Sequence, residues 1–237
     1  KDLPIYIFQF QTKFRNELRS KSGILRTREF IMKDLYSFSK DEEEHAKFYE
    51  QTKEAYLKIF EKVGLGKHTY VTFASGGAFS QFSHEFQTLC AAGKDTIYLD
   101  KDKGLAVNQE VFTEEVLSKL GLEKENLEEV SAVEVGNIFN LGTRFSEALE
   151  LLYTNEEGES VPVIMGSYGI GPGRCMGTVA EVLSDDKGLV WPKSIAPFQV
   201  HLIALNPEDE GVYEKAEEAY RELEAAGIEV LFDDRKD

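Results

Sequence analysis

The sequence predicts an α+β fold, in which an antiparallel sheet with flanking helices is followed by the beginning of an α/β unit. Residues 5–17 alternate in polarity with the two-residue period of a strand, and a Ser-Gly turn leads into a second strand-like run. Residues 39–63 begin with a capping box and carry an apolar stripe, which predicts a long helix. Residues 199–232 show the pattern strand, helix, strand, which is typical of an α/β domain.

The first strand and the first helix carry specific expectations. The apolar positions of the strand change register between Ile7 and Phe8, so we expect it to be buried on both faces. Ser39 is the expected N-cap of the helix, because Glu42 follows it three residues later, and the helix should run to about Val63. One stripe of the helix should be buried through Phe48, Leu57 and Phe60.

The remaining elements follow in chain order. Strand-like runs occupy residues 69–73, 84–89, 131–142, 149–155 and 161–169. A flexible connection is expected at residues 74–81, and helices are expected at about residues 113–120 and 173–185. These elements predict a large domain over residues 1–190, a Pro-containing linker over 191–197 and the start of a second domain over 198–237.

Composition limits the possible classes of function. The 237 residues are 42% hydrophobic and 30% charged, as in a soluble globular protein, and the longest apolar run is too short to cross a bilayer. The net charge of -16 argues against broad binding to nucleic acid but permits a local basic pocket. Cys90 and Cys175 lie far apart and the four histidines show no ligand spacing, so we expect a cytoplasmic protein without disulfides or structural zinc. Both ends of the sequence read as cuts through a longer protein.

The segment FRNELRSKSGILRTREFIMKD, residues 14–34, places Arg-rich strands on both sides of the Ser-Gly turn. Because side chains alternate along strands, a hairpin can present Arg15, Glu17, Arg26 and Phe30 together. The guanidinium groups offer paired donors to phosphate oxygens, Phe30 offers a flat surface to a base, and Glu17 offers an acceptor to an amine. An exposed hairpin with cross-strand ion pairs explains the same pattern, so these residues alone leave both readings open.

The second chemical signal is MGSYGIGPGRCMGTVAE, residues 165–181, in which four glycines precede Arg174 and a predicted helix. Glycines allow the backbone to approach a ligand closely, and the first turn of a helix favours negative charge. A lone Gly-rich turn is weak evidence, and this one lacks the Gly-Lys-Ser/Thr of a P-loop.

The two segments together resemble the signature motifs of one enzyme family. Phe14-Arg15-x-Glu17, a loop and Arg26-x-x-x-Phe30-x-x-x-Asp34 resemble motif 2 of the class II aminoacyl-tRNA synthetases, and Gly169-x-Gly171-x-x-Arg174 resembles their motif 3. The stretches LPIYIFQFQTKFRNE, SHEFQTL, EVGNIFNLGTRFSEAL and MGSYGIGPGR are similar to the bacterial type of prolyl-tRNA synthetase. WPKSIAPFQVHLIALN is similar to the passage of that family into its anticodon-binding domain.

The resemblance implies that the parent protein joins L-proline to tRNA(Pro) in two steps, with ATP and Mg²⁺ and without a protein nucleophile. It assigns catalysis to Arg15 and Arg174, which would hold the α- and γ-phosphates. The residues that it assigns to ATP binding are Arg15, Glu17, Arg26, Phe30, Glu134, Gly171 and Arg174. Glu134 is also the candidate ligand of the magnesium ion.

The resemblance also implies a small pocket for proline. The residues that fall where the family builds this pocket are Met32, Asp34, Phe82, Ser83, His84, Phe86, Gly166 and Ser167. A structural role for His84, as a lone histidine among aromatic residues, remains an alternative.

Several features depart from the family. The large editing insertion is replaced by a short stretch at residues 111–133, so we expect no hydrolysis of mischarged alanyl-tRNA by this chain. Asn137 and Ser167 stand where relatives often have His and Cys. The dimer-forming motif 1 is absent, so the homodimer is an expectation for the full-length protein. A synthetase for another small amino acid, a non-catalytic paralogue and an editing factor remain alternatives.

Overall fold

The structure is a computed structural model that describes residues 2–18, 20–77 and 82–235. It divides into two compact units, Lys1–Val190 and Trp191–Asp237. Part of the predicted flexible connection, residues 78–81, lies outside the described residues. Of the helices in the described part of the chain, none combines the length and the apolar character that crossing a bilayer requires.

The first unit is built on an eight-stranded sheet with the order β1-β2-β10-β7-β4-β3-β6-β5. Its strands are β1 (Ile5–Phe14), β2 (Glu29–Ser39), β3 (Thr69–Ser75), β4 (Phe82–Leu89), β5 (Asp95–Asp100), β6 (Leu105–Asn108), β7 (Glu128–Gly142) and β10 (Ile164–Ile170). A small hairpin of β8 (Leu152–Thr154) and β9 (Ser160–Pro162) precedes β10. The predicted antiparallel sheet is present, except that β3 and β6 are parallel, so the sheet is mixed.

Four helices accompany this sheet in the described part of the first unit. They are α1 (Glu42–Lys62), α2 (Glu114–Leu120), α3 (Arg144–Ala148) and α4 (Pro172–Leu183). The second unit contains the parallel strands β11 (Val200–Ile203) and β12 (Val230–Asp233) and the helix α5 (Glu210–Ala225). Tyr220 of α5 stacks on Phe232 of β12 with ring centroids 5.5 Å apart. The predicted α+β class is confirmed.

The start of α1 differs from the sequence expectation. Asp41, and not Ser39, is the N-cap, and its Oδ1 accepts a hydrogen bond of 2.8 Å from the backbone N–H of Glu44. Ser39 is instead the buried last residue of β2, where it pairs with Ile164. The helix therefore begins only after strand β2 has ended.

Part of the interior of the first unit lies between the sheet and α1, and further buried clusters lie among β5, β6 and β7 and around α2. Tyr56 and Phe60 are the most deeply buried aromatic residues of α1, and both contact Phe86 of β4. Of the predicted stripe, Phe60 is buried and Phe48 is partly buried, but Leu57 is exposed, because Tyr56 takes the inward position.

The expectation that β1 is buried on both faces is wrong. β1 is the edge strand of the sheet: within the part of the chain that the structure describes it pairs only with β2, and nearly all of its residues are exposed. Phe8 and Phe10 are 70% and 66% exposed. Alternation predicts which face a side chain takes, but it does not say whether another element covers that face.

Candidate nucleotide and amino-acid site

The connection between β1 and β2, residues 15–28, is called the hairpin loop below. It closes through a hydrogen bond of 2.9 Å from the backbone N–H of Arg15 to the carbonyl of Arg28. At its tip Ser22 and Gly23 both have left-handed backbone conformations, with φ of 61° and 57°. Gly23 adopts this conformation without steric cost, so the Ser-Gly pair lets the chain reverse within a short turn.

All seven residues predicted to bind ATP line one cavity of about 120 Å³ at the base of the hairpin loop. A second cavity, of about 230 Å³, shares Arg15, Glu17, Arg26, Glu134 and Arg174 with the first and extends to the turn at residues 92–95. The structure thus brings together two halves of a basic site that lie about 150 residues apart in the chain, since Arg174 contacts Leu25 across a separation of 149 residues.

The guanidinium groups of the hairpin loop are held by local contacts. Arg26 Nε lies 2.8 Å from Glu17 Oε2, and Arg28 Nε donates to the Glu17 carbonyl at 2.8 Å. The Arg15 guanidinium lies over the Phe30 ring, 5.1 Å from its centroid. These contacts keep basic groups next to a flat aromatic surface, as a nucleotide site requires.

Arg174, near the start of α4, closes the opposite wall of the cavity. Its Nη1 donates to the carbonyl of Glu134 at 2.9 Å and lies 3.2 Å from Glu134 Oε2, while its Nε donates to the Leu25 carbonyl at 3.2 Å. Asn137 Nδ2 donates to the other Glu134 oxygen, Oε1, at 2.7 Å. Glu134 therefore fixes Arg174 before any ligand is bound.

The Gly-rich strand β10 keeps the cavity floor open. A Cβ atom added to Gly169 would lie 3.1 Å from both Asn137 Oδ1 and Met32 Cε, and one added to Gly171 would lie 3.5 Å from Met32 Sδ. Glycine at position 169 of β10 leaves room for the Met32 side chain at the edge of the cavity, whereas the contact at Gly171, which follows the strand, is of ordinary length.

The structure divides the predicted proline pocket between two faces of the sheet. Alternation along β2 and β10 places Met32, Asp34 and Ser167 on the face that carries the nucleotide cavity, which we call the front face. Asp34 is nearly buried there, and its Oδ2 lies 2.6 Å from Lys13 Nζ.

Four of the predicted proline residues take the opposite, helix-covered face, which we call the back face. Phe86 is fully buried against Tyr56 and Phe60, and Phe82 packs on Phe73 with ring centroids 4.8 Å apart. A Cβ atom on Gly166 would meet His45 Cε1 of α1 at 2.8 Å. His84, the fourth of these residues, also contacts α1. Residues at i, i+2 and i+4 of one strand share a face, so Phe82, His84 and Phe86 cannot all join the front-face group.

His84 has a structural partner on the back face. Its Nδ1 lies 2.7 Å from the hydroxyl of Tyr49 in α1. Burial, and then the positive charge of Lys53, lowers the pKa of His84 to about 4. Ser83 and His84 line a cavity of about 270 Å³ beside α1, and the Ser83 hydroxyl donates to the Ser75 carbonyl at 3.0 Å.

A buried polar network next to the front cavity was missed by the sequence prediction. Glu85 Oε2 accepts hydrogen bonds from Gln87 Nε2 at 2.8 Å and from Asn108 Nδ2 at 3.0 Å, and Gln87 Nε2 also lies 3.0 Å from Asp95 Oδ2. Burial, and then the charge of Glu134, raises the pKa of Glu85 to about 7. The alternation of Glu85 and Gln87 with His84 and Phe86 in SHEFQTL is the signal that indicates this second, polar face.

The acidic groups near the cavity do not form a closed metal cage. Among the described residues, no three His, Cys, Asp or Glu side chains are grouped as ligands of a metal ion. Magnesium is commonly held by one or two carboxylates together with substrate phosphates. The carboxylate of Glu134, which lines the cavity together with that of Glu17, fits that mode of binding.

The chain belongs to the class II aminoacyl-tRNA synthetases, because residues 1–183 match the family model described as the tRNA synthetase class II core domain (G, H, P, S and T). It is 39% identical over 247 residues to the proline–tRNA ligase of Rickettsia peacockii (strain Rustic), with 99% of this chain and 58% of the relative covered. The corresponding ligase of Rickettsia bellii (strain OSU 85-389) is 40% identical over 247 residues, with 99% and 57% covered. The chain thus spans about 58% of the length of the curated relatives it matches.

A solved structure shows the same fold. Prolyl-tRNA synthetase from Cryptosporidium parvum, complexed with L-proline and AMP, superposes with a TM-score of 0.72 and 21% identity, covering 100% of this chain and 42% of that one. The predicted class II synthetase core is therefore confirmed.

Proposed function

We propose that the intact protein is a proline–tRNA ligase, which activates L-proline with ATP and then transfers the prolyl group to the 3′ end of tRNA(Pro). The observation that carries the proposal is the convergence of Arg15, Arg26 and Arg174 with Phe30 in one cavity. The names of the Rickettsia relatives support the choice of proline.

In the first step a carboxylate oxygen of proline attacks the α-phosphorus of ATP. A new oxygen–phosphorus bond forms while the bond to the bridging oxygen of the β-phosphate breaks, which gives prolyl-adenylate and pyrophosphate. Arg15 would stabilise the charge on the α-phosphate and Arg174 would hold the γ-phosphate, so that positioning and electrostatics supply the rate. Phe30 would stack on adenine and Glu17 would accept from its amino group.

Residues of the front face complete the site in this proposal. Met32, Asp34 and Ser167 would surround proline beside the α-phosphate. Glu134 would hold Mg²⁺ together with the phosphates, and the ion would neutralise part of their charge. In the second step the 3′-terminal hydroxyl of the tRNA takes the prolyl group and AMP leaves.

The remaining assignments concern the intact protein. Residues 198–237 would begin the anticodon-binding domain, after the linker at 191–197. A cytoplasmic homodimer is the proposed state, and the exposed apolar side chains of the edge strand β1 support burial of this edge in a larger assembly.

Exchange of pyrophosphate into ATP, dependent on proline, tests this function. Arg15→Ala or Arg174→Ala in the intact protein should each lower the exchange rate by at least about 100-fold, because each removes a charge-assisted contact to a phosphate. Arg144→Ala on α3, outside both cavities, is the matched control and should keep the wild-type rate. Near-normal exchange in the Arg15 and Arg174 variants would contradict their roles.

The same assay separates the proposal from its rivals. Wild-type exchange that responds to threonine or alanine better than to proline would identify a synthetase for another small amino acid. Absence of exchange with every amino acid would favour a non-catalytic paralogue.

A further inference from the structure

The hairpin loop is attached to α4 through a single buried side chain. Leu25 is only 9% exposed, whereas its neighbours Ile24 and Arg26 are exposed. Among the described residues of the loop, 15–18 and 20–28, it is the one buried side chain. The energetic anchor of the loop therefore lies at Leu25.

The surface that receives Leu25 is defined by a missing side chain on α4. Gly177 is buried, and a Cβ atom added to it would lie 2.8 Å from Leu25 Cδ2 and 3.0 Å from Ile24 Cγ1. Both distances are shorter than carbon atoms normally approach each other. The helix thus accommodates Ile24 and Leu25 because position 177 has no side chain, and we call this depression the Gly177 notch.

The turn geometry directs the two apolar residues toward the notch. Ser22 and Gly23 reverse the chain, and the backbone N–H of Leu25 donates to the Ser22 carbonyl at 3.1 Å. Ile24 and Leu25 then follow within the single 3-10 turn Gly23–Leu25.

The notch is coupled to the predicted phosphate-binding residue of α4. Arg174 lies three residues before Gly177, so the two share one face of the helix. Arg174 Nε donates to the carbonyl of Leu25 at 3.2 Å, and Leu25 and Arg26 both line the nucleotide cavity. Displacing Leu25 would therefore remove a partner of Arg174 and move one wall of the cavity.

We propose that Gly177 is a positioning residue for nucleotide binding: its notch seats Ile24 and Leu25, and this contact holds the hairpin loop over the cavity and orients Arg174. Gly177 acts through Leu25 and does not contact the substrate. The role in nucleotide binding depends on the function proposed above, whereas the seating of the loop does not.

Two substitutions of graded size test the notch in the intact protein. Gly177→Val places branched carbon atoms against Ile24 and Leu25, while Gly177→Ala adds one methyl group against the ends of flexible side chains. Neither change lowers helix propensity relative to glycine, so α4 should remain folded. Gly173→Ala on the same helix is the matched control for loop exchange, because a Cβ atom there meets no atom within 4 Å.

Hydrogen exchange reports the seating of the loop directly. We expect the amides of residues 20–27 to exchange about tenfold faster in Gly177→Val than in the wild type, with a smaller change in Gly177→Ala and none in Gly173→Ala. The amides of α4 should keep their protection. Unchanged loop exchange in Gly177→Val would overturn the proposal.

Kinetics report the consequence for the site. In Gly177→Val the KM for ATP in pyrophosphate exchange should rise about tenfold while the KM for proline stays within about twofold. Faster loop exchange with an unchanged KM for ATP would overturn the positioning role. Failure of the proposed function is recognised separately, as the absence of proline-dependent exchange of pyrophosphate into ATP in the wild type, and it leaves the loop measurement interpretable.

Discussion

Single residues in this protein show how burial changes the pKa of a side chain. Lys33 and His84 both point to the back face, where burial lowers the pKa of Lys33 to about 8 and that of His84 to about 4. Glu85 changes in the opposite sense, because burial favours the neutral form of an acid. The front face, by contrast, keeps Arg15, Arg26 and Arg174 at the wall of an open cavity.

The lowered pKa of His84 predicts a pH-dependent stability. The unfolded chain binds a proton at His84 near pH 6.5, but the folded chain binds it only near pH 4, so the contribution of His84 to the free energy of unfolding should fall as pH falls through this window. The full shift corresponds to roughly 3–3.5 kcal/mol. Glu85, whose pKa is raised to about 7, contributes in the opposite sense, and it does so in the wild type and in a His84 variant alike. In His84→Gln, urea unfolding at pH 6.5 and pH 4.5 should show a smaller loss of stability than in the wild type.

The comparison depends on the difference between the two pH values and not on the absolute stability of the variant. His84→Gln also loses the hydrogen bond to Tyr49, which lowers its stability at every pH. His45, whose pKa is likewise lowered by burial, contributes to the pH dependence of the unfolding free energy in both proteins. If the free energy of unfolding changes equally between pH 6.5 and pH 4.5 in the two proteins, His84 does not titrate as the structure implies.

At the scale of elements, the sheet separates a binding face from a packing face. β2, β10 and β4 each contribute alternate residues to both faces, and α1 covers the back face with Tyr49, Tyr56 and Phe60. Gly166 of β10 is closely packed on this face, against residues of β10, β2 and α1. A Cβ atom added to Gly166 would clash with Tyr168 Oη and would lie 2.7 Å from Ser37 Oγ.

Gly166→Ala therefore should destabilise the first unit. Overpacking of this kind costs about 1–3 kcal/mol, because the hydroxyls of Tyr168 and Ser37 and the ring of His45 must move apart. Chemical denaturation of the variant measures the loss, with Gly173→Ala as a control in open space. If the variant has normal stability but weakened proline binding, the assignment of Gly166 to the proline pocket would be supported instead.

The elements were more predictable than their environments. The paired strands around Ser22–Gly23 and the helix after Gly171 follow from alternation and from turn residues, which are local properties. The exposure of β1 could not be predicted from these local properties, because it depends on which element lies beside that strand. The Glu85 network also did not follow, because Asn108 reaches Glu85 from a strand 23 residues away.

The same reasoning explains the outcome for the candidate site. The residues assigned to ATP through two sequence motifs converge in one cavity. The residues predicted to bind proline include sequence neighbours in β4. Because side chains alternate along a strand, Phe82, His84 and Phe86 lie on the back face. Both sets of assignments stay predictions: the residues taken from the two motifs share one cavity, whereas those taken from matched segments lie on two faces of the sheet.

At the scale of the whole molecule, the candidate site belongs to one unit. Every residue that lines the two front cavities lies within Lys1–Val190. The second unit contains its own parallel strand pair and helix, and its residues supply none of the described cavity walls.

We therefore expect residues 1–190 alone to bind ATP with the same affinity, within about threefold, as residues 1–237. Isothermal titration of both chains with ATP and magnesium checks this expectation. The Arg174→Ala form of each chain is the negative control. An affinity at least about tenfold weaker in the shorter chain would show that the second unit is required for nucleotide binding.

The contacts of Arg174 have a thermodynamic consequence for ligand selection. Its Nε and Nη1 already donate to the carbonyl of Leu25 and to Glu134, so a phosphate oxygen that takes either of these donors must exchange partners with the protein. Much of the cost of ordering this side chain is met during folding, before any ligand arrives. A small monovalent anion has too little charge to displace both acceptors, whereas a triphosphate competes through several oxygens at once. If Arg174 binds the γ-phosphate as proposed, these protein contacts should make the site favour polyphosphates over simple anions.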